Sequence, residues 1–367
     1  MNAPASLLPE THGQAQGQAG GPTHDQAHDQ THDQAGGPAG RAPLIVVQGL
    51  TKTFPVRHSL LSRMGGQARR RVHALTALDL TVARGETLGI VGESGCGKST
   101  LARCLVRLYQ PDSGSIDVDG MDVGRLYGTD LRRYNRRVQM VFQDPYSSLN
   151  PRMTVRETLA EALSVHHMVS RRAIGARIGE LLDMVNLPAT AADRRPHEFS
   201  GGQRQRIGIA RALSVEPDCL IADELVSALD VSVQAQMVNL LLELQEKLHL
   251  TVLFIAHDLR LVRHLSHRVA VMYLGRIVEL APTALLFSRP RHPYAKALLE
   301  AAPELDPQAR RSEAVRGELP SPIDPPAGCA FHPRCPVAIA RCSSERPRLA
   351  ALADGRLVAC HLAAAEG

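Results

Sequence analysis

The run Leu44-Ile45-Val46-Val47 is continuously apolar, and Ala77 to Val82 alternates apolar with polar residues. Both patterns predict strands, and the turn at Arg84-Gly85 makes the sheet they form small and partly antiparallel. Thr87-Leu88-Gly89-Ile90-Val91 reads as a short buried strand, with Leu101, Leu105 and Leu108 recurring at helical spacing behind it. Pro111-Asp112-Ser113-Gly114 predicts a turn, and 115–120 the strand after it. Val138 to Phe142 is another buried strand, ending at Gln143. From Asp144 to about Pro196 the period becomes helical, as in Ile178, Leu181, Leu182 and Val185. A helix from Arg204 to Leu213 precedes the apolar strand Cys219 to Ala222. A second helix with Val233, Met237, Leu240, Leu241 and Leu244 on one face precedes the strand Val252 to Ala256, and His257 stands at its end. Strands that alternate with helices predict an α/β fold with a mostly parallel sheet, which binds ligands at the carboxyl ends of its strands.

Composition changes this picture mainly at the N-terminus. Residues 1–42 are rich in Gln, Ala, Gly, His and Pro, with His-Asp-Gln repeated at His24, His28 and His32. Too few apolar side chains are available there to offset ordering entropy, so this tail is expected to be disordered. Its four-residue period stacks three histidines on one face of any helix, a weak metal site as the alternative to an inert tail. The basic segment from Arg57 to Arg71 reads either as a solvated loop or as a contact to acidic headgroups or a partner. At 367 residues the chain suits one large or two moderate domains. A net charge of +5 gives no argument for a nucleic-acid partner. The polar N-terminus lacks a signal segment, and no apolar run reaches the roughly 18 residues of a membrane span. A cytosolic chain is expected, with its seven cysteines reduced or metal-bound.

The chemistry is concentrated in Gly92-Glu93-Ser94-Gly95-Cys96-Gly97-Lys98-Ser99-Thr100, which fits G-x-x-x-x-G-K-S/T between a strand and a helix. Glycines let consecutive N–H groups turn inward on phosphate oxygens. Lys98 adds a point charge for the β- and γ-phosphates, Ser99 a hydroxyl for Mg²⁺, and the helix its positive end. The segment therefore predicts binding of a nucleoside triphosphate. Asp223 closes an apolar strand, as a Mg²⁺ ligand or as an N-cap. Glu224 beside it either polarises the attacking water or is simply exposed. Gln143 and His257 each end a buried strand, to sense the γ-phosphate or as ordinary loop residues. Ser200-Gly201-Gly202-Gln203 opens a helix and offers a second anion-binding end.

Over about residues 43–290 this order resembles the ATP-binding-cassette (ABC) ATPases. Gly92 to Thr100 is similar to the Walker A loop, Gln143 to the Q-loop, Phe199 to Gln203 to the signature motif, and Leu220 to Glu224 to Walker B. Ser227-Ala228-Leu229-Asp230 resembles the D-loop and His257 the switch histidine, while Phe54 falls where the family stacks an aromatic on adenine. Leu225 departs from the proline usual after the glutamate, which loosens the turn that places Glu224. The resemblance implies a P-loop ABC core with a helical subdomain at about 144–200, ATP with Mg²⁺ near Ser99, Gln143 and Asp223, and catalysis by Glu224, His257 and Gln143. It also implies head-to-tail dimers, with itself or a homologous subunit, in which Ser200 and Gly202 close over the partner's ATP. More narrowly, 144–152, Arg289 to Tyr294 and Gly317 to Pro322 resemble the ATPase subunits of dipeptide and oligopeptide permeases. That likeness implies a peripheral protein on the cytoplasmic face of the inner membrane, bound to transmembrane permease subunits, with Tyr146 to Pro151 in the docking groove. An extracytoplasmic solute-binding protein is an indirect partner. Nickel, glutathione or another small solute is an alternative cargo, and a non-transport ABC ATPase acting on nucleic acid or ribosomes is the rival class.

The remaining stretch, 291–367, reads as a C-terminal extension of the permease type. It carries Cys329, Cys335, Cys342 and Cys360, separated by five, six and seventeen residues. These gaps exceed the usual pairs of structural zinc sites. Four thiolates suit a 4Fe–4S iron–sulfur cluster, which the permease resemblance also implies; zinc and no metal are the alternatives.

Overall fold

The computed structural model describes residues 42–56, 70–143, 149–227, 229–301 and 317–363. The histidine tail, the core of the basic segment, Tyr146 and Ala228 lie outside the described residues. Strand β1 (Pro43–Pro55) pairs antiparallel with β2 (Arg71–Ala83), Val47 opposite Leu80 and Phe54 opposite Val72. All five residues of β3 (Thr87–Val91) are buried, and the glycine loop joins it to helix α1 (Lys98–Leu105). Strand β4 (Ser113–Val118) runs along the other side of β1, and β5 (Met121–Asp122) completes a four-stranded sheet in the order β2-β1-β4-β5. The helical stripe ends sooner than its spacing predicts. The chain leaves α1 at Leu105, Arg107 takes φ +58°, and Leu108 is 58% exposed.

Helix α2 (Gly128–Arg137) feeds β6 (Val138–Val141), and two helices follow, α3 (Val155–Val165) and α4 (Ile174–Met184). A reciprocal capping box between Thr154 and Glu157 starts α3 by satisfying two otherwise orphaned donors. Ile178, Leu181 and Leu182 bury the apolar stripe of α4. Beyond them run α5 (Gly201–Leu213), β7 (Cys219–Asp223), α6 (Val231–Leu248), β8 (Thr251–Ile255) and α7 (Leu259–Leu265). The hairpin of β9 (Arg268–Tyr273) and β10 (Arg276–Pro282) then leads to α8 (Thr283–Ser288) and α9 (Pro293–Glu300). Past residue 317 come α10 (Ala340–Ser344) and the short strands β11 (Ala350–Ala351) and β12 (Leu357–Val358).

The second sheet has the order β11-β12-β10-β9-β3-β8-β7-β6. Its middle, β9-β3-β8-β7-β6, is parallel, as the alternation of strands and helices predicts. Successive side chains of a strand point to opposite faces, and β7 divides its residues accordingly. Leu220 and Ala222 join a core that includes α3, α4, α5 and α6, whereas Cys219 and Ile221 join one shared with the antiparallel sheet and α1. The central sheet is thus apolar on both faces, which is why its strands read as continuous hydrophobic runs. β12 pairs antiparallel with β10, Val358 opposite Glu279. Strands beyond residue 317 therefore lengthen the central sheet.

Candidate functional site

Four candidate groups emerge at the carboxyl ends of adjacent parallel strands. After β3, the loop 92–97 holds Gly92, Gly95 and Gly97 at φ +152°, +80° and +111°, values that side chains disfavour. A Cβ on Gly92 would lie 2.2 Å from the carbonyl oxygen of Met272, and one on Gly97 2.4 Å from that of Ala74. Space behind the loop is filled by the wholly buried Cys96, whose thiol burial pushes above its ordinary pKa. In front, Gly97 caps α1 with no side-chain hydrogen bond, so the first amides of that helix keep their donors for an anion. Ser94 and Gly95 belong to the same loop, and Thr100 to the first turn of α1.

Lys98 is 5% exposed and donates from Nζ to the carbonyl oxygens of Gly92 (2.7 Å) and Glu93 (3.1 Å). Those bonds draw its ammonium into the loop, 3.8 Å from Cys96 Sγ. The hydroxyl of Ser99 donates to Asp223 Oδ1 at 3.0 Å, tying α1 to the end of β7. Burial raises the Asp223 carboxyl above its usual range, and the bond from Ser99 pulls the other way. Hydroxyl and carboxylate at hydrogen-bond distance form an oxygen donor pair of the kind Mg²⁺ takes, so the residues present fit Mg²⁺ with a polyphosphate.

Glu224 follows Asp223 at φ +49°, and its amide donates to the carbonyl of Ile255 at 2.9 Å. That bond extends the β7–β8 pairing one residue past the strand and aims the side chain toward the end of β8. There Glu224 Oε1 lies 3.2 Å from His257 Nδ1. Leu225 is buried, packed where the family usually has proline. Gln143, at the end of β6, is exposed; its carbonyl oxygen accepts from Gln205 Nε2 at 3.2 Å.

The signature-like residues open α5, and Arg194 lies 4.5 Å from the ring of Phe199. Ser200 caps α5, its hydroxyl accepting from the Gln203 amide while the Gln203 side chain accepts from the Ser200 amide. A Cβ on Gly202 would meet Val233 Cγ1 at 2.5 Å, so glycine is what lets α5 approach α6, whereas one on Gly201 would reach Leu229 Cδ2 only at 3.4 Å, an ordinary contact. Asp230 precedes α6, and Gln234 holds the turn before it through the carbonyls of Val226 and Leu229. Phe54, half-buried at the end of β1, meets Tyr109 edge-on at 5.2 Å, with Lys52 Nζ 5.4 Å from its ring. Tyr109 was not singled out from the sequence, where a lone Tyr before a Pro-Asp turn carries no chemical signal.

Cys329, Cys335, Cys342 and Cys360 converge on one cavity with His292, His332 and His361. Burial raises the thiols of Cys329 and Cys335 above their ordinary pKa, which favours the neutral form. The cavity measures about 10 Å³, room for no more than roughly one water molecule. Among the described residues no group of three or more His, Cys, Asp or Glu side chains is arranged to hold a metal ion. The four thiols the sequence proposed as metal ligands therefore line one cavity, but they do not form the iron–sulfur or zinc site that the permease resemblance implies.

Residues 75–227 match the family described as ABC transporter, and residues 278–342 match the C-terminal region of oligopeptide/dipeptide transporters. The chain is 52% identical over 325 residues to a protein of Sinorhizobium fredii named as a probable peptide ABC transporter ATP-binding protein, covering 88% of this chain and 90% of that one. To an oligopeptide transport ATP-binding protein of Bacillus subtilis it is 48% identical, over 88% of this chain and 98% of the relative. Among solved structures, a dimeric post-hydrolysis state of the ATP-binding cassette MJ0796 bound to ADP and Pi superposes with a TM-score of 0.57 at 28% identity. That match covers 65% of this chain and 98% of the cassette.

Proposed function

The chain belongs to the ATP-binding subunits of the ABC transporter family, on its oligopeptide/dipeptide branch, and on that premise we propose how its residues drive import. It is an ATPase that couples hydrolysis to the uptake of di- and oligopeptides through separate transmembrane permease subunits, paired with itself or a homologous ATPase. It works at the cytoplasmic face of the membrane; among the described residues no helix is long and apolar enough to cross one. The observation that carries this reading is the meeting of the glycine loop, the Ser99–Asp223 pair and the Glu224–His257 pair at neighbouring strand ends.

In this reading the loop amides and Lys98 bind the phosphates, and Phe54 offers its ring to the adenine. Ser99, Asp223 and Gln143 would hold Mg²⁺, which when bound supplies positive charge to the phosphate oxygens. Glu224 orients the attacking water and accepts its proton, and His257 fixes the carboxylate that does so. Ser200, Gly201, Gly202 and Gln203 present the capped end of α5 to the ATP of the partner subunit, with Asp230 beside them. Glu224→Gln is expected to retain ATP binding and lose at least about a hundredfold in turnover. Phosphate release from the purified chain, read beside nucleotide binding, tests this; turnover near wild type would remove Glu224 from the chemistry.

The finer cofactor reading keeps the four cysteines as ligands of a 4Fe–4S cluster, with zinc as the alternative. Convergence of four thiols from separated segments supports it, and the size of the cavity between them opposes it. Iron, sulfide and zinc analysis of protein purified without oxygen decides. Stoichiometric iron and sulfide, or one zinc, would support a metal centre, and neither would make the cluster a packing feature.

A further inference from the structure

Within Gly92 to Thr100 one side chain is anionic, Glu93. A carboxylate in a loop that gathers phosphates opposes the ligand unless another charge cancels it. That charge comes from 241 residues away. Arg334 Nη1 donates to Glu93 Oε2 at 3.0 Å, and Nη2 to Oε1 at 3.1 Å. The guanidinium side chain is 6% exposed and the carboxylate 24%. Two parallel bonds of this kind fix orientation as well as charge. Nη1 also donates to Tyr273 Oη at 3.4 Å, and the guanidinium lies 5.9 Å from the centroid of that ring.

Glu93 is held at its backbone too. Its amide donates to Tyr294 Oη at 2.9 Å. Tyr294 packs on Tyr273 at 4.6 Å and on Phe331 at 5.4 Å, and Phe331 itself is 2% exposed. An aromatic cluster thus seats the 3-10 turn His332–Arg334 and gives its arginine a fixed bearing on the loop. Both anchors, Tyr294 and Arg334, lie in the C-terminal extension.

The geometry points to Arg334 as a positioning residue for ATP binding: it neutralises Glu93 and pins the phosphate loop from the cysteine-bearing extension. This inference rests on the reading of Gly92 to Thr100 as a phosphate loop. ATP affinity is then a property of cassette and extension together. Removing the guanidinium leaves a partly buried carboxylate facing the incoming phosphates, whereas removing both charges relieves the conflict.

The test measures binding of a fluorescent ATP analogue to the purified full chain, with Lys98→Ala as the control for the loop. Arg334→Met should weaken binding on the order of tenfold, and Glu93→Gln combined with Arg334→Met should recover most of it. That recovery separates charge cancellation from packing, because a packing defect persists in the double variant. Unchanged affinity in Arg334→Met overturns the proposal, as does a double variant no better than the single one. Should Arg334→Met not fold, Arg334→Lys keeps the charge and loses the paired bond; several-fold weaker binding supports the assignment and none overturns it. A wild-type chain that binds no nucleotide, or binds as Lys98→Ala does, overturns the loop reading itself and this inference with it.

Discussion

His292 shows how burial of a single ring sets a pH dependence. It is 1% exposed, its Nδ1 accepts from the Tyr294 amide, and burial pushes its pKa down to about 3. An unfolded histidine titrates near ~6.5. Below that pH the unfolded chain binds a proton that the folded chain refuses, so stability falls as pH drops from about 6.5 toward 3. Neighbouring Glu279 works in the opposite sense, because burial raises its carboxyl above the usual value. Comparison with His292→Asn, which keeps a capping acceptor, isolates the ring. Between pH 7 and 5.5 the wild type should lose about 1 kcal/mol more than this variant in urea unfolding, and parallel losses would refute the assignment. At this scale the sequence is legible where chemistry is local. Gly92, Lys98 and Ser99 declare themselves within nine residues, and Asp223 and Glu224 do so at a strand end. The Glu93–Arg334 pair is silent because nothing in either neighbourhood announces a partner 241 residues away.

Among the elements, the β9–β10 hairpin went unread although its turn is plain in retrospect. Leu274 and Gly275 both take positive φ, +42° and +75°, the two-residue turn that suits the twist of a hairpin. Leucine at its first position hides the signal, since Asn or Asp is the usual cue. The turn also braces the phosphate loop, for the Gly275 amide donates to the Cys96 carbonyl at 2.8 Å. A Cβ there would stand 2.7 Å from the Ala74 carbonyl oxygen. Gly275→Ala should therefore cost roughly 1–3 kcal/mol and weaken nucleotide binding with it; calorimetry and a binding titration would find no change if the turn were incidental. The start of α5 is the converse case, announced by Ser200 and the glycines after it, although the helix begins at Gly201 and not at Arg204. Removing that cap with Ser200→Ala should cost about 1 kcal/mol, in chemical unfolding, and also lower turnover if α5 faces the partner's ATP. Lost stability with turnover intact would leave Ser200 a cap alone. Helical spacing placed Leu108 on the apolar face of α1, but the chain turns at Arg107 to reach β4, so periodicity overran the element.

For the described chain beyond residue 34, the division drawn from sequence at residue 290 falls inside continuous structure. β12 adds to the sheet beside β10, and the buried Glu279 faces Arg356 of the extension at 3.6 Å, with side-chain exposures of 0% and 2%. Sequence marks the boundary only through the extent of the family resemblance, and two-residue strands carry too short a pattern to be read. Deleting one partner of a buried pair strands the other charge. Arg356→Met should accordingly cost about 3–5 kcal/mol, and a loss below about 1 kcal/mol in urea unfolding would make the extension an appendage. Fold and nucleotide chemistry were thus legible in the strand–helix alternation and the motifs, while the docking of the extension depended on long-range contacts. The most direct measurement is uptake of a labelled dipeptide by cells lacking this chain, complemented with wild type or with Glu224→Gln at equal membrane-associated amounts. Import restored by the wild type and absent with Glu224→Gln is the expected result. Equal uptake in the two strains, or none restored by the wild type, would contradict peptide import driven by ATP hydrolysis at this site.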